Sequence, residues 1–153
     1  MENKKEYYTF NEYIKKNKLT PSEEDYIEMI YRLFLQEDHV KVSDISKHLN
    51  ITPPSVTKMV KKLSEKELIL YKKYDYVVLS DMGKIVGQQL LNRHDIVNKF
   101  LNILGVKDKI HEETEKIEHT ISIETLMKIE EHIEFFNSNK DILDKLIEYQ
   151  KKD

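Results

Sequence analysis

Apolar residues recur with helical spacing along most of the chain, and one short stretch breaks to a strand-like pattern. From position 21, Tyr26, Ile27, Ile30, Tyr31, Phe34 and Leu35 form a broad stripe that predicts a helix to about residue 36, with Ser22 as its cap and Asp25 in the capping-box position. Residues 42–49 predict a short helix capped by Ser43 and ended by Asn50. After a three-residue turn, Thr52 caps a second helix whose apolar face is Val56, Met59, Val60 and Leu63. Pro53 takes its first position, where a missing N–H costs nothing. Two helices joined by so tight a turn form a helix-turn-helix. Residues 68–72 and 76–79 are β-branched and aromatic enough to be two strands around Lys73, Tyr74 and Asp75, a hairpin that makes the unit a winged helix.

The pattern then returns to helix. Ser80 caps a long helix over 81–104 that Gly105 stops, and Gly83 and Gly87, four apart, leave a groove for close packing against another helix. Further helices are predicted at 107–119, at 123–136 after Ser122, and at 141–152. Ile123, Leu126, Met127, Ile129, Ile133 and Phe136 give the second of these more apolar surface than a lone outer helix presents, which predicts a dimer interface. In residues 1–19, Phe10, Tyr13 and Ile14 have helical spacing, consistent with either a docking helix or a frayed terminus. The expected fold is mainly α with a small β-hairpin. It comprises an N-terminal extension (1–19), a winged helix-turn-helix DNA-binding domain (20–80) and a C-terminal helical dimerisation domain (81–153).

Composition narrows the chemistry. The chain has no Cys, which excludes disulfides, thiol catalysis and iron–sulfur ligation and fits a reducing cytoplasm. No apolar run approaches the roughly 20 residues of a membrane span, and no signal-peptide core is present. The net charge of -3 argues against a uniformly basic nucleic-acid binder, but the charge is uneven. Residues 38–80 hold eight Lys against five acids, whereas 105–153 hold eight Lys against thirteen acids. A basic front half suited to a polyanion and an acidic rear half with another task follow from that asymmetry.

On the second helix of the helix-turn-helix, Ser55, Thr57 and Lys58 lie early enough to reach base edges, and Lys58, Lys61, Lys62 and Lys66 form a stripe suited to phosphates. Thr52 and Pro54 at the helix start, with Lys72 and Lys73 at the hairpin, complete the candidate DNA contacts. In the rear half, Glu115, Glu118 and His119 share one helical face, where three metal-capable side chains could converge; a solvated charged face is the alternative. Asp25 and Glu28 share a face in the first turn of their helix, where acids also simply complement the helix dipole. His94 stands beside Arg93 and Asp95, a position usually at the surface. A di-iron carboxylate enzyme needs two Glu-x-x-His motifs; none of the six His has Glu three residues before it, and His-Glu-x-x-His is also absent, so catalysis is not expected.

In combination and order, several motifs carry a family resemblance over about residues 20–137. They are Thr20-Pro21-Ser22-Glu23-Glu24-Asp25-Tyr26-Ile27-Glu28, Val42-Ser43-Asp44-Ile45, Pro54-Ser55-Val56-Thr57-Lys58-Met59-Val60, Arg93-His94 and Ile117-Glu118-His119. The chain resembles the diphtheria-toxin-repressor family of metal-dependent transcriptional regulators, and within it the manganese-responsive branch. That resemblance implies a metal site made of Asp25, Glu28, His94, Glu115, Glu118 and His119, with two Mn²⁺ per subunit, Glu28 and Glu118 as bridges, and Fe²⁺ tolerated. The iron-responsive branch places Met at the position of Asp25 and Cys at that of Glu115, and this sequence has neither. The implied function is manganese-responsive repression of metal-uptake genes by a cytoplasmic homodimer on double-stranded operator DNA. Alternatives are an iron-responsive member of the same family, a winged-helix regulator of another ligand, or a metal-buffering or protein-interaction module.

Overall fold

The computed structural model describes residues 2–37, 39–72 and 76–152, without the side chains of residues 2, 3, 71 and 72. The chain divides into two compact units, 1–91 and 92–153.

The first unit opens with α1 (Glu2–Asn17), whose Tyr7, Phe10 and Tyr13 are buried. The N-terminal extension is therefore a docked helix. The Tyr13 hydroxyl donates to the Lys66 carbonyl at 2.8 Å, tying α1 to the end of a helix much later in the chain. Next comes α2 (Pro21–Phe34), with Ile27 and Ile30 fully buried. Its cap is Thr20 and not Ser22. The Thr20 hydroxyl accepts from the Glu23 N–H at 3.2 Å, while Glu23 Oε2 accepts from the Thr20 N–H at 3.0 Å. Pro21 decides the register, because its fixed φ and missing donor suit the first helical position, which places the cap one residue earlier.

β1 (Val40–Lys41) leads directly into α3 (Val42–Leu49). The expected Ser43 cap is displaced for that reason: Lys41 occupies the cap position, its N–H donating to Asp44 Oδ2 at 3.3 Å, and Ser43 falls inside the first turn. Asn50 ends the helix in a left-handed conformation at φ 53°, which Asn tolerates better than most residues. α4 (Pro53–Glu65) follows after the expected short turn. Val56, Val60 and Leu63, on one face, are fully buried.

β2 (Ile69–Lys72) and β3 (Tyr76–Leu79) pair antiparallel, Ile69 opposite Leu79. β1 adds a third strand to the hairpin, Lys41 opposite Tyr76, so that the sheet order is β1-β3-β2. A two-residue strand has no periodicity to read, which is why the sequence showed only the hairpin.

α5 (Asp81–Ile103) begins in this unit, with Ser80 Oγ accepting the Gly83 N–H at 2.9 Å. The two glycines serve different neighbours. A Cβ on Gly87 would stand 2.6 Å from Tyr31 Cβ, a close helix–helix approach, whereas one on Gly83 would stand 2.0 Å from the Leu68 carbonyl oxygen.

The second unit holds the end of α5, then α6 (Ile110–Glu118), α7 (Ile123–Ser138) and α8 (Lys140–Gln150). Gly105, at φ +88°, closes α5 in the conformation that glycine adopts most readily. The Gln150 amide donates to the Ile103 carbonyl at 3.0 Å, satisfying one of the carbonyls a helix end leaves open. Thr114, wholly buried on α6, accepts from the Asn98 amide of α5 at 3.3 Å and donates to the Ile110 carbonyl at 2.8 Å. That network sets the face α6 turns to α5. Ser122 caps α7, as expected, by accepting the Thr125 N–H at 3.1 Å. Leu126 and Ile133 of α7 are buried, while Phe135 is half exposed.

Candidate metal centre and nucleic-acid interface

Within the second unit, α5 and α6 bring His94, Glu115, Glu118 and His119 together. His94 Nδ1 lies 2.7 Å from Glu118 Oε2 and 3.5 Å from Glu115 Oε1. His119 Nε2 lies 3.7 Å from Glu118 Oε1. Donor atoms of Glu115, Glu118 and His119 lie within 4.8 Å of one another. His94, which sequence position suggested would be at the surface, is buried, on the same helical face as the core residues Val97 and Leu101 and against Glu118 of α6.

The partners decide which nitrogen carries each proton. A carboxylate only accepts, so His94 Nδ1–H donates to Glu118. Arg93 Nη2 lies 3.4 Å from His119 Nδ1; a guanidinium only donates, so in this contact Nδ1 accepts, which leaves the ring N–H on Nε2, the nitrogen that faces Glu118. Burying the Glu118 carboxylate is costly unless it is compensated. The His94 hydrogen bond supplies part of that compensation, and a cation would supply more.

His111 was not singled out from the sequence. Its Nε2 lies 3.7 Å from Glu115 Oε1, and its ring centroid lies 5.6 Å from that of His94. Donor atoms of His94, His111 and Glu115 fall within 4.8 Å of one another. The available signal was its i,i+4 relation to Glu115.

Asp25 and Glu28 belong to the first unit. Both are partly buried on α2, and Glu28 Oε1 accepts from Arg32 Nη2 at 3.2 Å.

The candidate DNA contacts gather at the start and outer face of α4. Thr52, Pro54, Ser55, Thr57, Lys58, Lys61 and Lys62 are all exposed. The Thr52 hydroxyl meets the Ser55 hydroxyl at 2.9 Å and bonds no backbone N–H of α4, so its capping role is confined to the backbone. Thr57 donates to the Pro53 carbonyl at 3.1 Å. Lys72 ends β2, with its side chain outside the described atoms, and Lys73 lies outside the described residues. Lys66 leaves the proposed phosphate stripe. Its Nζ is 2.6 Å from Glu23 Oε2, a partly buried pair that joins the end of α4 to the start of α2. Burial opposes ionisation of Glu23, but the Lys66 hydrogen bond, the Thr20 N–H and the Lys66 charge together outweigh it and hold the carboxyl below its ordinary pKa.

Residues 18–77 match the family described as "Iron dependent repressor, N-terminal DNA binding domain", and residues 80–146 match its "metal binding and dimerisation domain". The HTH-type transcriptional regulators MntR of Bacillus velezensis and Bacillus pumilus are each 41% identical over 134 residues, covering 87% of this chain and 94% and 93% of theirs. The solved structure of the manganese regulator SloR superposes with a TM-score of 0.65 at 32% identity over 76% of this chain. This chain spans only 55% of the SloR chain. The matched family consists of metal-responsive, DNA-binding transcriptional regulators and not of enzymes. With both of its domains matched in order and MntR relatives covered almost end to end, the chain belongs to the diphtheria-toxin-repressor family of metal-dependent transcriptional regulators.

Proposed function

We propose that this chain is a manganese-responsive repressor of metal-uptake genes, with Asp25, Glu28, His94, Glu115, Glu118 and His119 as its metal ligands. The observation that carries the reading is the buried Glu118 carboxylate, 2.7 Å from His94, with Glu115 and His119 beside it. Support for Asp25 and Glu28 comes from the family resemblance and from their chemistry. Four carboxylates and two imidazoles, with no thiolate, form a hard donor set that suits Mn²⁺ and also accepts Fe²⁺. Two ions per subunit, with Glu28 and Glu118 as bridges, follow from the same resemblance.

Divalent ions held by these residues would supply the positive charge that balances four carboxylates. The protein's part is to present ionised carboxylates and neutral imidazoles; ligation through His119 Nε2 would require the ring proton to sit on Nδ1, and the Arg93 contact at that nitrogen would then give way. Asp25 and Glu28 lie on α2, in the unit that carries α4, so a ligand set that includes them links metal occupancy to DNA binding.

At the DNA, α4 enters the major groove. Thr52, Pro54, Ser55, Thr57 and Lys58 face base edges, and Lys61, Lys62, Lys72 and Lys73 face phosphates. The partner is a double-stranded, pseudo-palindromic operator read by a homodimer. Leu104, Phe135, Ile142, Ile147 and Tyr149, exposed in the second unit, supply apolar surface for the dimer contact. In domain terms, 20–80 binds DNA, 81–153 binds metal and dimerises, and 1–19 is an extension. The protein acts in the cytoplasm; no described helix is long and apolar enough to cross a membrane. The test is operator affinity with and without Mn²⁺ at fixed salt, repeated with Fe²⁺. Equal affinity in the loaded and stripped protein would sink the switch.

A further inference from the structure

A cleft of about 720 Å³ opens beside the start of α4, lined by Lys41, Ser43, Pro53, Pro54, Thr57 and Tyr76. Two of these, Pro54 and Thr57, are DNA contacts on the reading above, and this inference rests on that reading. Lys41 and Tyr76 come from the sheet, where they stand opposite each other across β1 and β3. The Lys41 ammonium lies 5.7 Å from the centroid of the Tyr76 ring, a cation–π seat that holds the charge at the cleft. His39 and the same ring form a T-shaped pair, with centroids 5.3 Å apart.

The start of a helix ordinarily turns free N–H groups toward a phosphate. Here the first two helical positions are Pro53 and Pro54, which have none. Thr57 has committed its hydroxyl proton to the Pro53 carbonyl. An anion in this cleft therefore gets no backbone donor from Pro53 or Pro54, and the side-chain donors of the opposite wall are Lys41 and the exposed Ser43. A duplex lying along α4 carries a sugar–phosphate strand on either side of the groove, and the cleft borders one edge of that helix.

We infer that the cleft receives one backbone phosphate of the bound duplex, with Lys41 and Ser43 as donors and Tyr76 as the residue that positions Lys41. This contact fixes the register of α4 on the DNA and reads no base. Such a contact has a signature distinct from base readout: uniform loss across sequences and a shallower salt dependence.

The experiment uses the full-length, Mn²⁺-loaded protein, a duplex it selects from a random pool, and a scrambled duplex of the same length. Lys41→Gln keeps the stem and removes the charge. The expected result is roughly fivefold weaker binding to both duplexes, with the slope of log K against log salt shallower by about 0.9. Lys84→Gln, whose ammonium lies over Phe34 away from the cleft, leaves the slope unchanged. Tyr76→Leu weakens binding in the parent but adds nothing in the Lys41→Gln background, as a positioning role requires. An unchanged slope in Lys41→Gln, a loss confined to the selected duplex, or an equal slope change in Lys84→Gln would overturn the phosphate site while leaving the DNA-binding reading intact. Failure of the parent to select any duplex would overturn both.

Discussion

His94 Nδ1 and Glu118 Oε2 are 2.7 Å apart, and both side chains are buried. This pair joins the long helix to the short one that follows it, and it places the least exposed carboxylate of the candidate centre against an imidazole. Glu118→Gln preserves shape and removes the charge. Mn²⁺ affinity should fall by about tenfold or more, with Glu115→Ala and His119→Ala also weakening it, while each variant stays folded. Titration calorimetry checks this, and unchanged Mn²⁺ binding in all three would reject the ligand set.

Lys66 and Lys61, both on the Lys-rich side of α4, should behave differently. Lys66→Met takes the neighbouring countercharge from the buried Glu23 carboxylate, leaving it the Thr20 N–H, and should cost about 1 kcal/mol of stability with little change in the salt slope of DNA binding. Lys61→Met should do the reverse. Urea melts and salt-titrated binding isotherms measure the two effects separately.

The pH dependence follows from the direction of the Glu23 shift. Its folded pKa lies below the unfolded one, so its stabilisation is present above the unfolded value of about 4.3 and is lost as pH falls through the lower folded value. The stability difference between the parent and Glu23→Gln should therefore shrink on acidification from neutral pH. A constant gap would show that Glu23 acts through shape alone.

Tyr13 supplies the alkaline counterpart. Burial, helped by the charges of Glu23 and Glu67, pushes its hydroxyl up to about 12. Tyr13→Phe removes the bond to the Lys66 carbonyl and should cost about 1 kcal/mol at neutral pH. Because the folded pKa is raised, that contribution is complete below the unfolded value of about 10 and is lost as pH rises toward the folded one. Urea melts on both sides of that window should show the gap between parent and variant closing.

Gly83 and Gly87 sit inside a helix, where propensity alone would make Ala stabilising by about 1 kcal/mol. The packing reverses the sign. A Cβ at Gly83 meets a backbone oxygen at 2.0 Å, which no rotamer change relieves, and one at Gly87 meets Tyr31 Cβ at 2.6 Å. Both substitutions should lower the melting temperature, with Gly83→Ala costing about 3 kcal/mol or more. A raised melting temperature for either would refute the close approach.

Local chemistry accounts for what could be read before folding. Helical periodicity located α2 to α8, and the spacing of Val56, Val60 and Leu63 announced the buried side of the second helix of the helix-turn-helix. Ser80, Ser122, Asn50 and Gly105 ended or began helices where their own hydrogen-bonding or φ preferences required. Glu115, Glu118 and His119 shared a face because three and four residues make one helical turn.

Tertiary structure decided everything that depends on distant partners. It turned the ambiguous start of the chain into a docked helix, because Tyr7, Phe10 and Tyr13 found a surface to bury against. Pairing of β1 with β3 moved the α3 cap from Ser43 to Lys41. Glu23 withdrew Lys66 from the surface stripe, although the spacing along α4 alone made Lys66 equivalent to Lys62. Burial of His94, its bond to Glu118 and the proximity of His111 depend on how α6 lies against α5, which the Asn98–Thr114 contact helps to set. The sequence by itself determined which residues could act, since periodicity and capping are local; only the tertiary structure decided which of them meet, since burial and charge pairing join residues far apart in the chain.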